Sequence, residues 1–295
     1  MGTTVMAVST ATLLASGLVF DDFSQANLDG LRADGWTVRE AVGHPGIPGA
    51  RWGAAGLELS ADPSTPGNRV LRLHAETDGT PSGTRQAQVC HRRQLLRGTY
   101  AARVRFSDRP DVGADGDPVI QAFYAISPLA HDLDPLFSEV DFEYLPNGGW
   151  GSPLTRLYAI AWQTVRIEPW QAFNAAQETP GSFEGWRELT IQVSENEVRF
   201  HVDSRLVARH GGRHVPVQPM SLNLSLWFSP GGLLAASPGA PRRWTMEVDW
   251  VLHAADATLD PGAVRAQVRA LRAAGTRALD TVRRDGPALQ APCDL

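Results

Sequence analysis

Ser138-Glu139-Val140-Asp141-Phe142-Glu143-Tyr144 is the stretch that decides the fold class. Its alternation is strict. Residues two apart along a strand point to the same face. Val140, Phe142 and Tyr144 therefore form an apolar face suited to a core. Glu139, Asp141 and Glu143 line the other face, with ~6.8 Å between successive Cα atoms.

Similar runs recur on both sides of this stretch. Strands are predicted near residues 18–20, 69–74, 99–106, 119–126, 157–164, 188–193, 198–202, 220–228 and 246–253. Most alternate apolar and polar residues, the pattern of a half-buried strand. Loops rich in Gly, Pro and Asp separate them, as at 107–117 and 229–241. Glycine and proline, 28 and 21 residues of 295, make up about one residue in six. That level of punctuation suits short strands joined by turns and excludes a bundle of long helices. The expected fold is all-β, a sandwich or jelly roll of two antiparallel sheets over residues 18–255.

The ends read differently. Residues 1–17 are small and uncharged, either a leader or an extra N-terminal strand. Val5 to Phe20 is too interrupted for a membrane span. It lacks the Lys or Arg that normally opens an export signal, which favours the cytoplasm over secretion. Beyond residue 255, a helical extension is expected in 256–295. Asp260-Pro261-Gly262 opens it, and Val264, Val268, Leu271, Leu279 and Val282 form a stripe that carries the predicted helix over 263–284.

Hydrophobic residues make up 43% of the chain, enough for a full core. The net charge is −5, and all 27 basic residues are Arg. A mildly acidic chain without basic runs is not expected to bind nucleic acid. Cys90 and Cys293 are too few for a disulfide scaffold. Pairing and free thiols both remain open, and a domain of this size is not expected to need the bridge in order to fold.

Three acids on one face raise one another's pKa. One carboxyl can then stay protonated while another is ionised, as retaining glycoside hydrolysis requires. Solubility alone would also explain an acidic solvent face. Clustered acids can bind hard cations, but no Gly-containing acidic loop motif is present, so neither metal nor cofactor is expected. Trp150, Trp162, Trp170 and Trp227 lie in or near the predicted sheet. Asn223, Ser225 and Trp227 share one strand face, a mixture suited to a sugar ring. Trp186, Trp244 and Trp250 read as structural, and His131 as an incidental loop residue.

Glu139-Val140-Asp141-Phe142-Glu143 resembles the E-x-D-x-E signature of the family 16 glycoside hydrolases, the lichenase, carrageenase and xyloglucan-transferase group. Other landmarks follow in the family's order. The opening strand is Leu18-Val19-Phe20-Asp21-Asp22-Phe23. Gly98-Thr99-Tyr100-Ala101-Ala102-Arg103-Val104 comes next, then Ala122-Phe123-Tyr124. The hairpin from Gly185-Trp186 to Val202-Asp203 precedes Pro219–Leu224 and Met246-Glu247-Val248-Asp249-Trp250-Val251. Ser138, Ser204 and Tyr124 depart from the family pattern. The resemblance covers residues 18–254. It implies a concanavalin-like jelly roll with a concave cleft, Glu139 as nucleophile, Glu143 as general acid/base and Asp141 tuning both. Tyr124, Trp150, Trp162, Asn223 and Trp227 are the expected substrate contacts. The substrate would be a β-linked glycan. A non-carbohydrate small molecule in a repurposed cleft, or non-catalytic carbohydrate binding, are the alternatives. An open groove would point to the first and a closed apolar pocket to the second.

Overall fold

The computed structural model describes residues 15–92, 94–283 and Cys293. The segment expected as a leader falls largely outside them, and Gly17 already belongs to a strand. In chain order the strands are β1 (Gly17–Asp21), β2 (Trp36–Val38), β3 (Arg51–Trp52), β4 (Leu57–Ala61), β5 (Arg69–Thr77), β6 (Arg85–His91), β7 (Gly98–Phe106) and β8 (Val119–Ile126). There follow β9 (Glu139–Leu145), β10 (Arg156–Arg166), β11 (Gln171–Pro180), β12 (Gly185–Val193), β13 (Glu197–Val202), β14 (Arg205–Gly211), β15 (Ser221–Phe228), β16 (Arg242–Ala255) and β17 (Ala278–Asp280). Two α-helices, α1 (Leu28–Ala33) and α2 (Pro261–Ala273), and two single 3-10 turns, Ala54–Gly56 and Gly212–His214, complete the described elements.

The strands form two antiparallel layers. One runs β2-β6-β15-β8-β9-β10-β11 and carries the acidic strand β9 near its middle. The other runs β14-β13-β12-β7-β16. On the far side of β16, β5 pairs with its first half and β1 with its second. The two layers pack face to face through the core, and their hydrogen-bond ladders join at β6, which takes one pair from β5, Glu76 opposite Arg85, and a short parallel pairing with β3.

Alternation explains the sandwich. Val140, Phe142 and Tyr144 of β9 are fully buried in the main core with Val198 and Phe200 of β13. Phe142 meets Phe200 edge-on, with ring centres 5.3 Å apart. Burying a side chain of this size stabilises by roughly 1.5–3 kcal/mol. A separate apolar cluster covers the outer face of the second layer, where α2 lays Val264 and Val268 against Trp250 and Leu252. Trp244 lies in the main core, and Trp186 stacks under the Arg103 guanidinium at 4.3 Å, so all three Trp read as structural are structural.

The predicted helix over 263–284 needs correction. Asp260 caps it, accepting from the Ala263 N–H at 2.8 Å, but it ends at Ala273. Gly275 takes a left-handed φ of 72°, which costs glycine little and reverses the chain. Residues Ala278–Asp280 then add a strand, β17, beside β1. Leu279 belongs to that strand and not to a helical stripe.

Cys90 and Cys293 form a disulfide across a sequence separation of 203. Such a loop gives about 5 kcal/mol in the chain-entropy description. The main core does not include the bridge. Reduction should therefore lower the midpoint of thermal unfolding by no more than roughly 20 °C and leave one cooperative transition. Calorimetry with and without reductant checks this; loss of the transition on reduction would show that the bridge is required for folding.

Candidate active site

Strand β9 places Glu139, Asp141 and Glu143 on the face turned away from the core. Its neighbours fix what surrounds them. On β8, Tyr124 lies opposite Asp141 and Ala122 opposite Glu143. On β10, Trp162 lies opposite Glu139, Ile160 opposite Asp141 and Tyr158 opposite Glu143. Tyr124, Tyr158, Ile160 and Trp227 join Ile120, Ile126 and Phe137 in an apolar cluster on this same outer face.

Asp141 is buried, while Glu139 and Glu143 are half-buried. Among the described residues none of the three forms an ion pair. Tryptophan N–H groups serve them instead: Trp162 Nε1 donates to Asp141 Oδ2 at 2.8 Å and Trp150 Nε1 to Glu143 Oε2 at 2.9 Å. A neutral donor stabilises a carboxylate far less than a guanidinium does, so burial dominates. Burial, reinforced by the charge of Glu143, pushes the Glu139 carboxyl well above its usual range. Burial and then both glutamates do the same to Asp141 against the opposing bond from Trp162. Burial raises Glu143 to about 7, with Trp150 holding it down.

Trp150 reaches Glu143 from a turn of unusual backbone. It has a left-handed φ of 49° between Gly149 and Gly151, both also at positive φ. For a bulky residue that conformation costs roughly 1–2 kcal/mol. The hydrogen bond to Glu143 and a ring contact with Trp227, centres 5.9 Å apart, hold it there.

All eight residues expected at the site share this face. Asn223 differs from the rest: it is fully buried, accepts from Gln88 Nε2 at 3.2 Å and donates to the Ser221 carbonyl and hydroxyl. It supports the floor. His131 is exposed and bonds only locally, to the Asp132 carbonyl. The departures at Ser138 and Ser204 have local roles. The Ser138 hydroxyl accepts from the Val217 N–H, and the Ser204 hydroxyl accepts from Arg265.

Gln88 was not anticipated. It lies on β6, a strand absent from the sequence-based expectation, and is buried. Its amide donates to Tyr124 Oη at 2.8 Å, and its carbonyl accepts from Arg39 at 2.9 Å. The alternation of Gln86, Gln88 and Cys90 with Ala87 and Val89 was the available signal. Tyr124 thus stands between a fixed donor and the carboxylates; burial and Glu139 raise its phenol.

Solved structures share this architecture. A Bacillus licheniformis β-glucanase superposes with a TM-score of 0.56 at 15% identity, covering 80% of this chain and 97% of that one. A prokaryotic β-1,3-1,4-glucanase (lichenase) derived from a mouse hindgut metagenome gives 0.56 at 20%, over 80% and 98%. The glycoside hydrolase family 16 endo-glucanase from Bacteroides ovatus gives 0.55 at 14%, over 79% and 98%. The fold is that of the family 16 glycoside hydrolases. No protein-family model matches the sequence, and no curated protein matches it. Within this family 16 fold, the acidic strand stands in the middle of its layer and faces outward.

The raised Glu143 makes a sign-specific prediction. The folded protein holds this proton more tightly than the unfolded chain, whose glutamate titrates near 4.5. The stability it contributes is complete below about pH 4.5 and is lost as pH rises through about 7. Glu143→Gln should therefore gain on the wild type by about 1–3 kcal/mol between pH 4 and pH 8. Paired denaturant titrations at the two pH values check this; a constant difference would refute the shift.

Proposed function

We propose that the protein is a retaining glycoside hydrolase or transglycosylase acting on a β-linked glycan. The observation that carries this reading is a row of three outward-facing carboxylates without cationic partners, one poised near neutral pH. The similarity of fold supports the substrate class. The order of residues along β9, together with the resemblance of its motif, supports the roles.

Glu143, protonated, gives its proton to the glycosidic oxygen as the bond to the leaving group breaks. Glu139, ionised, attacks the anomeric carbon and forms a glycosyl ester. Glu143, now a carboxylate, takes a proton from water or from an acceptor hydroxyl, which displaces Glu139. Asp141 between them helps the division of protons. Burial favours its neutral form, and a neutral Asp141 removes one of three mutually repelling charges. With Glu143 also protonated, no neighbouring charge on the strand opposes ionisation of Glu139, and only its burial remains to be overcome when the substrate binds. Trp150 and Trp162, their N–H groups held by Glu143 and Asp141, offer ring surface to the sugar, and the buried Tyr124 and Trp227 complete the apolar surface around the acids.

A second reading has its own support. Ile120, Ile126, Ile160 and Val165 give the face an apolar character suited to a non-carbohydrate small molecule. A panel of β-glucans and galactans separates the two: release of sugar favours the first reading, and inertness toward the whole panel favours the second.

In the first case Glu139→Gln should reduce turnover by at least ~10³-fold with no loss of stability, since a carboxyl group whose ionisation burial opposes is replaced by a neutral amide. Glu143→Gln should abolish cleavage of natural glycans but spare aryl glycosides with activated leaving groups. Asp141→Asn should be milder than either. Full activity in Glu139→Gln would refute the assignment of roles. Trp150→Phe removes the donor that favours ionised Glu143, so the basic limb of the pH–rate profile should move to higher pH. An unmoved limb would mean that Glu143 is not the group titrating there.

A further inference from the structure

The outer face of the catalytic layer is crossed by a contact that the proposed reaction does not use. The chain joining β2 to β3 leaves one edge of this layer, and the β10–β11 turn stands at the opposite edge. His44 from the first and Trp170 from the second meet with ring centres 5.5 Å apart. Both ends are anchored. Arg39 donates to the carbonyls of Ala41, Gly43 and His44 at 3.0–3.1 Å, donates to Gln88, and lies 3.9 Å from the centre of the Trp52 ring. At the other edge Trp170 sits edge-on to Trp162 at 6.2 Å, and Trp162 is bonded to Asp141. Strands β6, β15, β8 and β9 lie between the two anchors, so the contact passes over the carboxylate face.

A second obstruction lies on the floor. Asp141, Tyr124, Asn223 and Cys90 occupy one straight row across four strands. Strands lie ~4.8 Å apart, so Cys90 is ~14 Å from Asp141. Its sulfur is bonded to Cys293, which is itself buried. A glycan lying across the strands on that side meets the bridge after a few sugar rings.

We propose that the His44–Trp170 clasp and the Cys90–Cys293 bridge make this a short, roofed site that accepts a β-linked oligosaccharide or a chain end and excludes the interior of a polysaccharide. The proposal rests on the glycoside hydrolase reading above and names the size of its substrate. The interior of a polymer needs a path open at both ends and along its length. Here one end is stopped covalently and the path is bridged from edge to edge by two aromatic rings.

The experiment compares wild type, His44→Ala and Trp170→Ala on each β-glucan and galactan polymer and on the tetrasaccharide of the same linkage. The wild type should favour the tetrasaccharide and release short products from the first minutes. Either variant should raise the polymer-to-tetrasaccharide ratio of kcat/KM at least tenfold, chiefly by lowering KM for the polymer. Rapid loss of polymer viscosity with wild type, or an unchanged ratio in both variants, would overturn the roof while leaving the roles of the carboxylates intact. If no substrate turns over, the catalytic reading falls, and the roof is judged by quenching of tryptophan fluorescence. Polymer affinity gained tenfold in His44→Ala would support it, and equal polymer affinity in wild type and variant would overturn it.

Discussion

Burial of three carboxyl groups side by side on one face of β9, where desolvation first and mutual repulsion second oppose their ionisation, is the constraint around which the structure is arranged. The row is unfavourable in itself, so the rest of the strand has to hold it in place. The apolar face does this, with Val140, Phe142 and Tyr144 fully buried against the second layer. Strand β10 and the turn after β9 then supply only neutral donors, from Trp162 and Trp150. A cation would relieve the repulsion and also flatten the pKa values on which acid–base chemistry depends. The cluster of Ile120, Ile126, Ile160 and Trp227 around the acids keeps water back and maintains the shift.

A second strand provides the contrast. Glu247-Val248-Asp249 in β16 repeats the Glu-Val-Asp order of β9. Its acids also face outward, but on the other layer, among arginines. Glu247 is paired with Arg72 at 2.7 Å and Arg105 at 2.8 Å, and Asp249 with Arg103 and Arg272. Burial alone would raise Asp249; Arg272, Asn68 and Arg103 outweigh it and hold the carboxyl below its usual range. Arg272 belongs to α2, so this acid fastens the helix to the sheet. The same tripeptide is therefore structural in one place and a candidate for chemistry in the other, and cationic partners make the difference.

That difference also marks how far the sequence could be read. Period-2 alternation located β8 to the residue and β9, β7 and β15 within one or two, because each has one face in the main core. It missed β11, an exposed edge strand whose residues 171–180 carry no burial contrast. It missed β6 for the opposite reason. Gln86 and Gln88 look like solvent-facing residues but are buried under loops that arrive from distant parts of the chain. The three acids and the aromatic residues around them were legible for the same reason as β9. The Arg39–Gln88–Tyr124 connection was not, since it joins residues 49 and 36 positions apart in sequence. Helix α2 was seen but drawn too long, because periodicity continued past Gly275 while the backbone did not.

The position of β1 has a consequence for how the chain is made. Gly17–Asp21 pairs on one side with β16, Gly17 opposite Ala255, and on the other with β17, Phe20 opposite Leu279. A ribosome delivers β1 first and its partners more than two hundred residues later. Until then its N–H and C=O groups have no ladder to join, and buried Phe20 has no cluster to enter. Pairing between such remote segments is slow, because the chain entropy of closing the loop is lost before any contact forms. The second layer can therefore be completed only after residue 280 has been synthesised, and a nascent chain stalled before residue 255 would expose an open sheet edge to its neighbours.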